Sequence, residues 1–143
     1  MNKDETRVYF WVQDFGEDAS VVTELIDIEP TFIKLAGQPN PEFPKTTVRW
    51  NSWQISSSLP SHAHVNNHLE SLVKTLQPRT DAIKTASNMY RAGINCVMYY
   101  YEDFTPGIHI SEDIIQKISS MNISIDIDLY FLQSKDVDEQ KYF

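Results

Sequence analysis

The chain has 143 residues, of which 41% are hydrophobic and 22% charged, and its formal net charge is −8. A disordered chain would be less apolar, so we expect one folded domain over residues 1–143, with a core at about 7–132 and a loosely held tail at 133–143. An acidic surface would repel phosphate groups, which argues against nucleic acids and anionic membranes as partners. It would favour encounter with a basic protein, although acidic surfaces also serve solubility alone.

The expected location is the cytoplasm. The first residues carry charges of both signs, unlike a signal or transit peptide, and no run reaches the ~18 apolar residues of a membrane span. The single cysteine, Cys96, lies in an apolar run and leaves no partner for an internal disulfide. We interpret it as a small core residue and not as a nucleophile, since reactive thiols need polar, electropositive surroundings.

The first third of the chain predicts a strand, a short helix and a second strand. Residues 7–13 (RVYFWVQ) are apolar on both faces, which is typical of a central strand and places Trp11 in the core. Residues 19–27 carry apolar side chains at helical spacing, and residues 31–36 alternate like a strand. The next segment, 37–44, holds three prolines and a glycine and is expected to be a loop, the kind of element that often carries binding functions.

Two tryptophans lie in a strand predicted at residues 47–56. Strict alternation would point Trp50 and Trp53 to opposite faces, one against the helices and the other toward solvent or a second layer. A bulge at Asn51 and Ser52 would instead bring both rings to the same side. Residue types alone do not decide between these two arrangements.

The clearest helix follows a polar turn. Ser61 is the expected N-cap, and apolar residues recur at helical spacing over residues 65–76. The apolar face continues beyond Pro78, so we expect one long helix that is bent near Gln77. Gly93 is expected to close this helix at or just past its end.

The last third predicts a strand, a helix and a final strand. Residues 94–101 (INCVMYYY) are almost unbroken apolar and aromatic, which is typical of a strand covered on both faces. Ser111 is a good N-cap for the helix that follows. Residues 124–132 alternate between an aliphatic face, expected to be dry, and a wet face. The wet face carries Asp126, Asp128 and Tyr130.

A weak internal repeat suggests how these elements combine. The first and last thirds each contain an aromatic strand, a helix of about ten residues and a second strand. We expect an α+β fold with a mostly antiparallel sheet of five to six strands and about three helices packed on one face. Its two βαβ-like halves would be joined by a central strand and the long helix. The aspartate-bearing side of the last strand would be the uncovered side.

Three histidines raise the question of a metal site. His64 and His68 have the i, i+4 spacing that can bring two imidazoles to one zinc ion, with His62 close by. Zinc needs a third or fourth ligand, and the glutamate of the H-E-x-x-H motif is missing. Histidines on a solvated first helical turn are the simpler interpretation. We therefore predict no metal site and no cofactor.

Two further groups of residues could suggest catalysis. Asp126 and Asp128 share a face, and Glu102 and Asp103 would approach them if their strands pair. An open, hydrated sheet face would not raise the pKa of one carboxyl for acid–base work. Serines 56–58 lack a G-x-S-x-G elbow and an ordered acid. We predict no catalytic residue.

The order of these elements resembles a bacterial domain family catalogued only as domain of unknown function 4279. The resemblance covers about residues 8–132 and depends on the order of five features. These are an aromatic first strand, an I-x-P-T step at 28–31, a tryptophan strand ending in serines, an L-x-x-L-type helix before Pro78 and an acidic-aliphatic last strand. It implies a compact α+β domain and supplies no catalytic residues. Members are similar to small proteins encoded beside polymorphic toxins, which implies an immunity role.

We therefore predict a non-enzymatic binding protein, most specifically an immunity protein that neutralises a cognate toxin by direct contact. Acidic residues would steer it to a basic toxin domain, and exposed aromatic residues would anchor it. The predicted binding residues are one of Trp50 and Trp53, the acidic residues Glu102, Asp103, Asp126 and Asp128, and Tyr130, with Tyr99 or Tyr101 as further anchors. One alternative is a small-ligand sensor with an apolar pocket under residues 37–44, and a second is a weak enzyme that uses the histidines or aspartates.

Overall fold

In the part of the chain that the structure describes, the fold is a five-stranded sheet built around its first strand. The computed structural model describes residues 4–41, 43–101 and 107–132. The strands are β1 (Glu5–Gln13), β2 (Phe32–Lys34), β3 (Ser52–Ser56), β4 (Arg91–Tyr100) and β5 (Ser124–Phe131). Their spatial order is β2-β3-β1-β4-β5, with β4 and β5 parallel and all other neighbours antiparallel. This confirms the sequence-based prediction of an α+β fold with a mostly antiparallel sheet, in which the first strand is central.

Three helical elements accompany the sheet within the described ranges, and the longest is bent as predicted. They are α1 (Ser20–Ile26), the bent element made of α2 (Val65–Leu76), a 3-10 turn (Gln77–Arg79) and α3 (Thr80–Met89), and α4 (Glu112–Ser120). Pro78 lies in the 3-10 turn, because proline cannot donate the hydrogen bond that a continuous α-helix needs there. Among the described residues, no helix is both long and apolar enough to cross a membrane.

The N-cap of α2 differs from the prediction, whereas the N-cap of α4 agrees with it. At α2 the N-cap is His64, not Ser61: the backbone of His64 is extended, and its Nδ1 accepts a hydrogen bond from the Asn66 N–H at 3.2 Å. Imidazole replaces the hydroxyl that is more usual at this position. At α4 the Oγ of Ser111 accepts from the Ile114 N–H at 3.3 Å, as expected.

The helices pack on one face of the sheet and form a single core there. Every second residue of β1, from Val8 to Val12, joins this core, together with inward side chains of β3 and β4. Cys96 of β4 is fully buried among them, which confirms its prediction as a core residue. Burial, with a smaller effect from the charge of Asp128, raises the pKa of the Cys96 thiol to about 12, so it stays protonated at neutral pH.

Two similar halves are present in the sheet. In the first, β1-α1-β2, the two strands run parallel and are separated by β3, which is antiparallel to both. In the second, β4-α4-β5, the parallel strands are direct neighbours. The strand β3 and the bent helix join the halves, which confirms the predicted arrangement.

Gly93 and Trp11 lie against each other, and both positions differ from the prediction. The bent helix ends at Met89 without Gly93, because Tyr90 already has an extended backbone. Gly93 lies inside β4 opposite Trp11, whose ring covers it on the face away from the helices. A Cβ on Gly93 would lie 2.9 Å from Cζ2 of Trp11, so this close approach needs glycine. Trp11 is half-buried outside the helix-covered core, since it alternates with the core residues of β1.

The aliphatic side of β5 is less buried than predicted. Ile127, Leu129 and Phe131 point to the helical side, yet their exposed fractions are 40%, 41% and 54%. Strand β5 forms the edge of the sheet and has only β4 as a neighbour within the described part of the chain. Alternation therefore identified the correct face, but not how far the helices cover it. The predicted loosely held tail, 133–143, lies outside the described residues.

Candidate binding surface

The side of the sheet away from the helices carries the candidate site. We call its β1-β4-β5 part the open face. Strand alternation and register place its side chains in rows across the three strands, so that Tyr9, Asn95 and Asp126 form one row and Val97 and Asp128 belong to the next. The open face is defined by Arg7, Tyr9, Trp11, Asn95, Tyr99, Asp126, Asp128 and Tyr130.

Consecutive side-chain hydrogen bonds order the centre of the open face. Nε1 of Trp11 donates to Oδ1 of Asn95 at 3.1 Å, and Nδ2 of Asn95 donates to the hydroxyl of Tyr9 at 3.0 Å. The guanidinium of Arg7 lies 5.7 Å from the centre of the Tyr9 ring, a cation–π distance. These contacts fix the rings in one orientation, so little conformational entropy would be lost if a partner packed against them.

A pair of stacked tyrosines flanks this centre. The rings of Tyr99 and Tyr130 lie 5.2 Å apart with planes inclined by 19°. Tyr99 is buried under its partner, whereas 46% of Tyr130 is exposed. An exposed tyrosine supported by a stacked ring offers apolar area and a hydroxyl to a partner, which is typical of residues that dominate binding energy at interfaces.

Two carboxylates complete the open face. Asp126 and Asp128 are both exposed and lie on β5 in register with Asn95 and Val97. Within the described ranges neither carboxylate takes part in an ion pair. Their negative charge is therefore available to a cation brought by a partner. The predicted acidic neighbours, Glu102 and Asp103, lie outside the described residues.

The structure separates the two tryptophans that the sequence left undecided. Strand β3 begins only at Ser52, later than the predicted start at residue 47, so Trp50 precedes the strand. The side chain of Trp50 is 60% exposed, whereas Trp53 is fully buried on the helical side. Trp53 therefore contributes to the core and is withdrawn from the predicted binding residues, since a partner would not reach it. Trp50 is the accessible member of the pair.

His68 is buried, contrary to the interpretation of a solvated first turn. Only 2% of its side chain is exposed, and its Nδ1 lies 2.8 Å from Oγ of Ser57, which also accepts the Leu59 N–H. In the described part of the chain, Nε2 of His68 has no hydrogen-bond partner, so the pair lacks the orienting acid of a catalytic triad. We interpret this contact as one that ties α2 to the segment after β3.

The histidines do not converge on one point. His64 uses its Nδ1 to cap α2, and His68 faces the protein interior. Over residues 4–41, 43–101 and 107–132, no group of three His, Cys, Asp or Glu side chains is placed to hold a metal ion.

The buried imidazole predicts a pH dependence of stability. Burial lowers the pKa of His68, and the backbone of Pro60 opposes this only in part. As the pH falls below 6.5, the ordinary pKa of a histidine side chain, His68 gains a proton in the unfolded chain before it does so in the folded one. The free energy of unfolding should therefore fall with decreasing pH and level off only below the folded-state pKa.

Urea unfolding at several pH values between 5 and 8 would test this, with buffers matched in ionic strength. We expect His68→Gln to be less stable than the wild type at pH 8 and to lose less of its stability on acidification. His62→Gln, at an exposed position, should retain the wild-type dependence. An equal pH dependence of stability in His68→Gln and the wild type would contradict the assignment of this dependence to His68.

Sequence reasoning missed the centre of the open face. Tyr9 and Trp11 lie two residues apart on β1, and this spacing alone puts them on one side of a strand. The apolar character of both sides of β1 hid this signal, because it suggested two equally covered faces. Asn95 gave no signal of its own, since its role depends on the β1-β4 register.

Comparison with known proteins identifies the domain family. The model of the family described as domain of unknown function (DUF4279) matches residues 4–132, which includes every strand and helix described above. Neither the curated proteins nor the solved structures give a match. This match shows that the chain belongs to the DUF4279 family.

Proposed function

We propose that the protein is a non-enzymatic binding protein whose open face docks onto a basic protein surface, most specifically as an immunity protein that neutralises a toxin. The observation that carries this proposal is the combination, on the sheet face away from the helices, of two carboxylates without an ion pair among the described residues and one exposed tyrosine supported by a stacked ring. Asp126 and Asp128 supply the charge, and Tyr130 on Tyr99 supplies the apolar anchor.

Charge complementarity defines the kind of partner. The chain has a net charge of −8, so a basic protein would be attracted over a long range and an acidic one repelled. At contact, Asp126 and Asp128 can pair with lysine or arginine side chains of the partner. A toxin that acts on nucleic acid would present such a basic surface, because it must bind phosphates. The immunity role itself is what the family resemblance implies.

Co-expression tests the proposal directly. The toxin candidate is the product of the gene adjacent to this one, expressed from an inducible promoter in a host that also produces the protein. We expect the protein to restore growth and to elute with the toxin as one complex in size-exclusion chromatography. Growth arrest without any complex would contradict the proposal. A variant with Tyr130→Ala, which truncates the exposed ring, should protect less well at equal expression.

A further inference from the structure

A separate, concave site lies on the same side of the sheet as the open face, beside β3 instead of β5. Residues 37–41 and 43–50 fold back on each other: the Val48 N–H donates to the Gln38 carbonyl at 2.8 Å, and the Asn40 N–H donates to the Thr46 carbonyl at 3.0 Å. Asn51 fixes the end of this segment, since its side chain accepts from the Ala36 N–H and donates to the Gly16 carbonyl, each at 2.7 Å. Together with the sheet, these residues border a cavity of about 340 Å³ that is open to solvent.

The floor of the cavity is polar and ordered. Gln54 and Ser52 of β3 are buried there, with Nε2 of Gln54 donating to Oγ of Ser52 at 3.1 Å. Tyr9 and Gln13 of β1 continue the floor. Buried amide and hydroxyl groups on the floor can orient a ligand by hydrogen bonds, which is how small-molecule sites usually obtain specificity. The pocket expected from the sequence at residues 37–44 was predicted to be apolar, whereas the floor of this cavity is polar.

The walls combine a positive charge with an exposed ring. Lys34 and Arg49 line the cavity, and no carboxylate among the described residues lines it. Arg49 forms no ion pair within the described part of the chain, although acidic residues outnumber basic ones by 20 to 12 overall. Trp50 adds a ring with 60% of its surface exposed. A cation and an indole at one cavity suit a ligand that is both anionic and planar.

We propose that this cavity binds a small aromatic carboxylate. Its volume is at the lower end of the range of ligand sites, which fits a single ring better than a dinucleotide. The carboxylate would pair with Arg49, the ring would lie against Trp50, and the amide of Gln54 would contact a polar ring substituent. The site shares only Tyr9 with the open face, and the proposal does not depend on the proposed protein-binding function.

Nuclear magnetic resonance of the tryptophan side chains can test this. The three tryptophans give three indole N–H signals, and Trp50→Phe assigns the one from Trp50. The full chain would be titrated with 4-hydroxybenzoate, up to about 20 mM, and separately with its neutral counterpart 4-hydroxybenzamide. We expect a saturable shift of the Trp50 signal with little change at the buried Trp53, and about tenfold tighter binding of the carboxylate than of the amide.

Arg49→Gln should remove the preference for the carboxylate and leave the weak binding of the amide. Lys84→Gln, which removes the same charge at an exposed position on α3, should bind both compounds like the wild type. The backbone spectrum reports whether each variant is folded. Absence of a saturable Trp50 shift, equal affinity for both compounds, or an unchanged preference in Arg49→Gln would each overturn the proposal.

Discussion

Replacing Trp53 with alanine is expected to lower the free energy of unfolding by about 3–5 kcal/mol, the range measured for the truncation of large buried side chains. The ring of Trp53 has no exposed surface and meets Phe10 edge to face, with centroids 6.2 Å apart. Its removal would leave a cavity between β3 and α1. It would also leave Oγ1 of Thr23 without the indole N–H that it accepts at 2.9 Å.

The chain supplies a matched control for this substitution. Trp50 is three residues earlier and 60% exposed, so Trp50→Ala should change the stability by no more than about 0.5 kcal/mol. Trp53→Phe should fall between the two, because it keeps an aromatic ring but loses the hydrogen bond to Thr23. Urea denaturation followed by circular dichroism would measure all three. A loss as large for Trp50→Ala as for Trp53→Ala would contradict the assignment of the two rings.

Most of the fold could be predicted because its elements have strong local signals. The apolar stripe of α2, the proline in the 3-10 turn and the serine cap of α4 each depend on residues close in sequence. The N-cap of α2 was a local error, but the larger errors arose where a distant residue decides the outcome. The local sequence predicts Gly93 at a helix end. Its actual position in β4 is explained by the ring of Trp11 from the neighbouring strand β1. The local sequence likewise predicts a solvated His68, yet this side chain is buried and contacts Ser57.

The candidate site was only partly predictable for the same reason. Alternation along β5 put Asp126, Asp128 and Tyr130 on one side, and this is where they lie. The contribution of Tyr9 and Asn95 depends on the register across β1, β4 and β5, which no single segment encodes. The cavity beside residues 37–41 and 43–50 depends on how these residues fold over the sheet through their own backbone hydrogen bonds. Its polar floor therefore has no pattern in the sequence to reveal it.

Reversing the charges of the open face should weaken the complex with a basic toxin by about 100-fold or more, which corresponds to about 2.7 kcal/mol. The variant Asp126→Lys/Asp128→Lys places two cations where the partner is expected to bring its own. Both positions are exposed on the edge strand β5, where lysine is well tolerated, so the fold should survive. Calorimetry of the complex at low and high salt would measure the loss, which should be larger at low salt because screening weakens the repulsion.

The control variant must change the net charge equally but leave the open face intact. Glu24→Lys/Glu70→Lys meets this condition, since Glu24 is exposed on α1 and Glu70 is exposed on α2, on the opposite side of the sheet. Its weaker long-range attraction should reduce the association rate several-fold, whereas dissociation should stay at the wild-type rate. The open-face variant should also dissociate faster, because it loses direct contacts. If both variants lost the same affinity through association alone, the overall charge would account for binding and the open face would not be the docking surface.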